Sequence, residues 1–215
     1  MTLVVFGRAP EPGACKTRLQ PRLGAEGAAA LYAALLDDTC RLAATIPGPR
    51  VLCVDGDPAH PVLTRLATEW GLSVTAQGPG DLGARMRRAM EPALASGPVC
   101  LIGSDLPTLQ TADLAAGFSS LARHDVVFGP AADGGYWLVG LRPSGRAHLA
   151  ALFDDQEWST PSVLTATLAR VSGAALLATH ADLDEPADLD RLCAALDPRV
   201  GPTTRRALHA LGLVC

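Results

Sequence analysis

Short apolar runs alternate with longer amphipathic segments along most of the chain. The apolar runs predict strands at residues 3–6, 51–54, 72–75, 99–102, 126–128, 137–141 and 175–178. Both faces of these runs are apolar, which is typical of strands in a sheet that helices cover on both sides. Helical periodicity lies between and after them, at residues 25–44, 61–70, 82–95, 111–123, 161–171, 186–195 and 202–211. This alternation predicts an α/β fold with a mostly parallel sheet.

The sequence shows no domain boundary. Its 215 residues contain no internal repeat, charged block or Gly/Ser-rich linker. We therefore predict one domain over residues 1–215, with a core at about 1–195 and a C-terminal helix at 202–212. No signal peptide is visible, and no apolar run approaches the roughly 20 residues that cross a bilayer. The expected location is the cytoplasm.

Charge and aromatic content exclude two kinds of partner. The formal net charge is −4, and aromatic residues make up 4% of the chain. Nucleic acids and anionic membranes attract basic surfaces, and single strands also need aromatic stacking platforms. We therefore expect no nucleic acid and no membrane among the partners.

The spacing of cysteines and histidines does not predict a zinc site. The six cysteines contain no CxxC pair, and the five histidines contain no HExxH motif. In a chain of this length we expect most cysteines to be small buried apolar side chains, ahead of disulfides or zinc ligands. They are Cys15, Cys40, Cys53, Cys100, Cys193 and Cys215.

The loop after the first predicted strand has the features of a phosphate-binding loop. Residues 7–19 carry two glycines for close backbone approach, two prolines and three cations. A polyphosphate needs exposed amides and positive side chains, so we predict phosphate contacts from Gly7, Arg8, Lys16 and Arg18. Lys16 is the only lysine beside 17 arginines, and its compact ammonium suits a moving phosphate. The alternative is an irregular surface loop with solvated cations.

A second loop, residues 77–86, contains three glycines and enters a predicted helix. Asp81 is placed to cap that helix, and Gly80 permits a flat backbone against which a base or sugar packs. Gln77 is predicted to hydrogen-bond a base edge. These three residues are the predicted nucleotide contacts of this loop. The alternative is a plain turn followed by a capped helix.

Acidic residues follow the fourth and the last predicted strands. Asp105 is well placed to hold Mg²⁺ against a diphosphate. Alternatively, Asp105 caps the helix predicted from residue 111, although Thr111 itself also fits that role. Asp182 and Asp184 point the same way if their segment is extended, so one of them can be the second metal ligand. The chain has no Asn, so this ligand must be an acid; we choose Asp184, and predict a structural role for Asp188.

Two further loops carry carboxylates. Asp133 precedes two glycines in residues 129–136 and can orient an acceptor, act as a base or shape a hairpin turn. Asp55 and Asp57 follow the second predicted strand with the spacing of a phosphatase motif. The residues after them do not fit that motif, so a phosphatase is disfavoured.

Together the loops resemble a known superfamily over about residues 1–195. They are similar to nucleotide-diphospho-sugar transferases, which implies a three-layer α/β/α Rossmann-like GT-A fold with a mostly parallel mixed sheet. More narrowly, they are similar to the small bacterial radical-SAM/selenodomain-associated (arsenosugar-biosynthesis-like) glycosyltransferase group. The segments that carry the resemblance are Gly7-Arg8-Ala9-Pro10, Lys16-Thr17-Arg18-Leu19, Gly103-Ser104-Asp105-Leu106-Pro107, residues 129–138 and residues 153–160.

The chain also resembles 2-phospho-L-lactate guanylyltransferase. Shared features are a Lys-Thr/Ser-Arg-Leu loop, an Asp-Leu-Pro segment and a late Asp-x-Asp-x-Pro-x-Asp. The chain departs from that enzyme at Tyr136, where Thr-Asn would follow Asp-Gly-Gly. It departs from the glycosyltransferase DxD at Gly103. The resemblances imply Mg²⁺ or Mn²⁺ on Asp105 and Asp184, and a phosphate loop formed by Arg8, Lys16 and Arg18.

The predicted function is that of a Mg²⁺-dependent, glycosyltransferase-like enzyme with a nucleotide-sugar donor and a small-molecule acceptor. The predicted catalytic residues are Lys16, Asp105 and Asp133. One alternative is a nucleotidyltransferase of the guanylyltransferase kind that joins an NTP to a phosphorylated small molecule, for which a lysine-containing loop is natural. The other alternative is a non-catalytic nucleotide-binding protein.

Overall fold

A mixed sheet runs through the computed structural model, which describes residues 1–195 and 197–213. Within these residues the strands are β1 (Thr2–Arg8), β2 (Arg50–Asp55), β3 (Ser73–Ala76), β4 (Val99–Ile102), β5 (Val126–Pro130), β6 (Tyr136–Leu141) and β7 (Ala175–Leu176). Their order is β3-β2-β1-β4-β6-β5-β7. β6 is antiparallel to both its neighbours, and the other pairs are parallel. The predicted α/β fold with a mostly parallel mixed sheet is confirmed.

Helices connect the strands and cover the sheet. The α-helices are α1 (Gln20–Ala43), α2 (Pro61–Trp70), α3 (Leu82–Met90), α4 (Thr111–Ser120), α5 (Leu149–Phe153), α6 (Val163–Arg170), α7 (Pro186–Ala195) and α8 (Pro202–Ala210). Short 3₁₀ helices occupy Thr17–Leu19, Ala93–Ala95 and Pro143–His148. The starts of α2, α7 and α8 agree with the prediction because proline, with its fixed φ, occupies the first helical position of each.

Alternate residues of the strands enter two apolar cores, one on each face of the sheet. In β1, Leu3 and Val5 belong to one core and Val4 to the other. In β4, Ile102 belongs to the first core and Leu101 to the second. Because successive side chains of a strand point to opposite faces, the sheet is buried between two helical layers. The predicted three-layer arrangement follows from this burial.

Several helices and strands begin or end at residues other than those predicted. The helix predicted at 82–95 stops at Met90, just before Pro92, whose ring has no amide hydrogen for the helical ladder. Helix α1 begins at Gln20, but Gly24 has a φ of 71° and interrupts it directly before the predicted start. The strand predicted at 175–178 has only two residues, and α8 ends at Ala210.

Residues 143–153 form a 3₁₀ helix and the five-residue α5, neither of which was predicted. Each is too short for a helical period to repeat in the sequence. Cys15, Cys40, Cys53 and Cys100 are buried with free thiols, as expected for small apolar side chains, and Cys215 lies outside the described residues. None of the helices in residues 1–195 and 197–213 has the length and apolar character to span a membrane.

Two backbone contacts place the segment after β7 beside the loop after β5 and the loop after β4. Ala131 forms a bridge with His180, and Leu183 N donates to Asp105 O at 3.0 Å. The ends of β1 and β4 also lie together because these strands are parallel neighbours. The loops that carry most of the predicted site residues therefore meet at one edge of the sheet, where open α/β sheets bind ligands.

Candidate active site

A cavity of about 470 Å³ opens at this edge, and we call it the loop-1 cavity because part of the loop 7–19 lines it. It lies at the carboxyl ends of β1, β2 and β4. Both cationic and acidic side chains line its wall. The cations are Arg8, Lys16, Arg18 and Arg85, and the acids are Asp55, Asp105 and Asp184.

The ammonium of Lys16 lies between two carboxylates. Its Nζ is 3.0 Å from Asp105 Oδ2 and 3.4 Å from Asp184 Oδ1, and only 5% of its side chain is exposed. Burial alone would lower the pKa of Lys16, but the two carboxylates outweigh burial and raise the pKa above its usual value. Lys16 is therefore charged at neutral pH. Its φ of 45° is left-handed, a conformation that a non-glycine residue adopts at some cost.

Asp184 is fixed from several directions. Arg18 Nη1 donates to Asp184 Oδ2 at 2.9 Å, and Asp188 Oδ2 accepts the backbone N–H groups of Asp184 and Glu185 at 2.9 and 2.6 Å. These two backbone contacts cap the start of α7. The geometry agrees with the structural role expected for Asp188.

Asp105 does not cap α4. The residue before that helix is Gln110, whose N–H donates to Asp113 Oδ2 at 2.8 Å, so the expectation that Thr111 caps the helix is wrong. The side chain of Asp105 is 36% exposed and lines the loop-1 cavity. Its carboxylate is thus available to a ligand there.

Asp182 and Asp184 line different cavities, contrary to the expectation that they point the same way. Leu183 lies between them and is buried, and its N–H donates to the backbone carbonyl oxygen of Asp105. The chain then turns into α7, which directs Asp184 toward Lys16, whereas Asp182 faces a neighbouring cavity.

Arg8 and Arg85 share the carboxylate of Asp55. Arg8 Nη2 lies 3.2 Å from Asp55 Oδ2, and Arg85 Nη1 lies 3.3 Å from Asp55 Oδ1. Arg8 Nη1 also donates to Ala14 O at 2.6 Å, which closes the loop. Sequence reasoning missed Arg85 and treated Asp55 only as part of a phosphatase motif. The sequence did contain one indication of Arg85, because it lies one turn into the helix that Asp81 caps.

Gly7 lies against a buried pair of hydroxyl groups. Tyr32 Oη accepts Arg8 N–H at 2.9 Å and lies 2.9 Å from Ser104 Oγ. A Cβ on Gly7 would meet Tyr32 Oη at 2.9 Å and Ser104 Oγ at 3.0 Å, so this position has no room for a side chain. Gly7 lines the loop-1 cavity as predicted, and Tyr32 is a further lining residue that the sequence did not indicate.

The second loop reaches the loop-1 cavity through Gln77 and Arg85, but its side-chain contacts differ from those predicted. The side chain of Gln77 points inward, where its Nε2 donates to Gly7 O at 2.8 Å and Cys53 O at 3.4 Å. It is therefore not free to donate to a base. Asp81 Oδ1 caps α3 by accepting Ala84 N–H at 2.8 Å, and Gly80 O accepts Arg85 Nε–H at 2.8 Å. Neither Asp81 nor Gly80 is among the lining residues described for the loop-1 cavity, which favours the capped-turn alternative.

A second cavity of about 250 Å³ begins on the other side of Asp105. We call it the hairpin cavity because Asp133 of the β5–β6 hairpin lines it, together with Asp182. Asp133 Oδ1 accepts Gly135 N–H at 2.9 Å, so this residue does shape the turn. Burial, and then the charges of Asp105 and Asp133, raise the pKa of Asp182 to about 6.

The donor set fits a divalent metal that binds together with phosphate. Mg²⁺ in proteins is usually held by one or two carboxylates plus substrate phosphates. Asp105 and Asp184 supply two carboxylates, each more than a third exposed. No group of three or more His, Cys, Asp or Glu suited to a metal occurs in the part of the chain that the structure describes. The ammonium of Lys16 lies within hydrogen-bonding distance of both carboxylates, so it would have to move.

Comparisons with known proteins agree with the fold. A candidate nucleotide-diphospho-sugar transferase from Desulfovibrio desulfuricans G20 has a TM-score of 0.85 and 29% identity, over 98% of this chain and 96% of that chain. Glucosyl-3-phosphoglycerate synthase from Mycobacterium tuberculosis, in complex with Mn²⁺, UDP and glucosyl-3-phosphoglycerate, shares the fold at 14% identity and a TM-score of 0.51, over 99% of this chain and 80% of that chain. So does 4-diphosphocytidyl-2C-methyl-D-erythritol synthase from Anaerococcus prevotii DSM 20548, at 10% identity and a TM-score of 0.58, over 91% and 96%.

The fold and these similarities define a transferase of the nucleotide-diphospho-sugar transferase superfamily. A comparison with curated proteins finds no match. The chain belongs to the family described as "Uncharacterized protein conserved in bacteria (DUF2064)", whose profile matches residues 36–160.

Asp182→Asn is expected to stabilise the metal-free protein at pH 7.5 by about 1–2 kcal/mol, or roughly 2–8 °C in Tm. The pKa of Asp182 is about 6 in the folded chain against 3.8 normally. The folded chain therefore binds this proton more tightly, and ionisation destabilises it. The penalty grows as the pH rises from about 4 to above 6 and is nearly absent at pH 4.

Thermal melting in EDTA at pH 7.5 and pH 4 measures this difference. Glu157→Gln is the matched control, since Glu157 is exposed and absent from the lining described for either cavity. An equal gain for Asp182→Asn at both pH values would contradict the assigned burial of this charge.

Proposed function

We propose that the chain is a Mg²⁺- or Mn²⁺-dependent transferase that moves a sugar from a nucleotide-sugar donor to a small-molecule acceptor. The loop-1 cavity carries this proposal, because its four cations suit a diphosphate and two of its carboxylates suit the metal. The hairpin cavity adjoins it at Asp105, where the sugar end of a donor would lie. We also assign residues 1–215 to a single domain.

Arg8, Lys16 and Arg18 are assigned to the phosphates. The guanidinium groups of Arg8 and Arg18 are about half and two-thirds exposed, so they are accessible to a ligand in the cavity. Asp105 and Asp184 are assigned to the metal, which when bound would offset the charge of the diphosphate. Lys16 is then free to exchange its carboxylate partners for phosphate oxygens.

The chemistry follows from these assignments. The bond between the sugar carbon and the terminal phosphate oxygen breaks, and the nucleoside diphosphate leaves with one more negative charge. Lys16 and Arg18 stabilise that charge as it develops. The acceptor oxygen forms the new bond to the sugar and gives its proton to a carboxylate of the hairpin cavity. Asp133 is assigned this role, because it is exposed at the cavity wall.

The resemblance to the radical-SAM/selenodomain-associated glycosyltransferase group supports a nucleotide sugar as the donor. The main alternative is nucleotidyl transfer, in which a phosphorylated acceptor attacks an NTP and pyrophosphate leaves. The resemblance of the lysine-containing loop to that of 2-phospho-L-lactate guanylyltransferase favours this alternative.

Calorimetric titration with UDP-glucose, GDP-mannose and NTPs, each with and without Mg²⁺, tests the donor class. We expect metal-dependent binding of a nucleotide sugar, and we expect Asp105→Asn to weaken that binding at least about tenfold. Glu157→Gln is again the control. Undiminished binding by Asp105→Asn would contradict its role as a metal ligand. Release of pyrophosphate from an NTP and a phosphorylated acceptor would favour nucleotidyl transfer, and the absence of any metal-dependent binding would contradict both reactions.

Lys16→Met is expected to bind Mn²⁺ alone at least about fivefold more tightly than the natural chain. The reason is that Asp105 and Asp184 lose the internal cation that competes with the metal. The same variant is expected to bind UDP more weakly, because a phosphate contact is lost. The amplitude of the free Mn²⁺ signal in electron paramagnetic resonance gives the metal affinity directly.

The matched control for Lys16→Met is Arg123→Gln, which removes an exposed cation that is not among the lining residues of either cavity. A melting curve confirms that each variant is folded. Unchanged Mn²⁺ affinity in folded Lys16→Met would show that the ammonium and the metal do not compete.

A further inference from the structure

The two cavities that meet at Asp105 differ sharply in charge. Four cations line the loop-1 cavity. The hairpin cavity is lined by Asp105, Asp133 and Asp182, and its lining among the described residues contains no Arg, Lys or His. We propose that the hairpin cavity selects an acceptor that carries no anionic group, namely a polyol or an amine rather than a phosphate or carboxylate. This inference rests on the proposed function, since it assigns the acceptor to the transferase site.

The carboxylates act against an anionic acceptor even when a metal is bound. A metal held by Asp105 and Asp184 would offset charge on the loop-1 side. Asp133 and Asp182 form no salt bridge among the described residues, and no cation lines the hairpin cavity beside them; the charge of Lys16 reaches Asp182 only through space and does not outweigh its burial. An anion entering there loses its hydration and gains like charges as neighbours. Hydroxyl and ammonium groups instead donate hydrogen bonds to carboxylates.

The aromatic wall of the hairpin cavity independently points to a ligand. Tyr136 Oη and Trp158 Nε1 are buried, and neither has a hydrogen-bond partner in residues 1–195 and 197–213. Both side chains line this cavity. Burial raises the pKa of Tyr136, so its hydroxyl stays neutral and keeps its proton. Buried donors without a partner are rare in folded proteins, and after a small rotation of either ring toward the cavity a hydroxyl or ether oxygen of a polyol would accept from them.

This assignment bears on the reaction as well as on the acceptor. Nucleotidyl transfer of the guanylyltransferase kind needs a phosphorylated acceptor next to the metal. Of the two cavities that Asp105 lines, the loop-1 cavity would already hold the phosphates of the nucleotide, and the hairpin cavity has no cation for another. The charge distribution therefore favours sugar transfer to an uncharged or cationic acceptor.

Matched pairs of probes test the acceptor class on the full chain. Glycerol is compared with 3-phosphoglycerate, and glucosamine with glucose 6-phosphate, by saturation-transfer NMR with and without saturating UDP and Mg²⁺. We expect the uncharged or amine member of each pair to bind at least about tenfold more tightly. The double variant Asp133→Asn, Asp182→Asn is expected to reduce that preference to less than about threefold, and Glu157→Gln to preserve it.

Tighter or equal binding of the phosphorylated members would overturn the inference, and so would the absence of binding of any probe to a protein that does bind UDP. The preference surviving unchanged in a folded double variant would also overturn it. The proposed donor is judged separately by the UDP titration. If UDP fails to bind but the probes keep the expected preference, the donor assignment fails and the acceptor class stands. Binding of UDP with the preference reversed contradicts the acceptor class alone.

Discussion

The buried ammonium of Lys16 joins three distant parts of the chain at the candidate active site. It contacts Asp105 in the loop after β4 and Asp184 in the segment after β7, the latter 168 residues away in sequence. Two partly buried carboxylates repel each other unless a cation lies between them. Lys16 supplies that cation in the free protein. Together with the backbone contact between Leu183 and Asp105, the residue that we assign to phosphate therefore holds the late acidic segment against the sheet edge.

This arrangement couples metal and nucleotide in the proposed reaction. For a metal to bind alone, the Lys16 ammonium would have to leave Asp105 and Asp184, whose carboxylates it already satisfies. A diphosphate that bound together with the metal would give this ammonium new partners, so no charge would be left unpaired. Linkage requires the effect to be reciprocal, so that phosphate binds more tightly when the metal is present. A substrate that brings metal and diphosphate together would therefore bind more tightly than either component alone.

Most of the fold, and the edge of the sheet at which the candidate site lies, could be predicted from the sequence because both depend on local patterns. Apolar runs marked the strands, and prolines marked three helix starts. Parallel strands then required the loops with Lys16 and Asp105 to meet. Contacts between side chains far apart in sequence were not predictable in this way. Asp55 pairs with two arginines across the cavity, and Gln77 turns inward because carbonyl oxygens at the ends of β1 and β2 accept its amide hydrogens.

The presence of a lysine at position 16, in a chain that otherwise uses arginine, has a physical explanation. Seventeen arginines supply the other cationic side chains, and most of those in ion pairs are at least a third exposed, where a wide planar guanidinium is easily hydrated. Between Asp105 and Asp184 the cation is buried and has carboxylate oxygens at 3.0 and 3.4 Å on two sides. A compact ammonium with three donors satisfies such a place and can rotate them toward a new partner, whereas the fixed fork of a guanidinium needs more room and a set direction. The one lysine thus lies where its charge pairs with two carboxylates in the free protein and is assigned to phosphate oxygens in the protein with bound ligand.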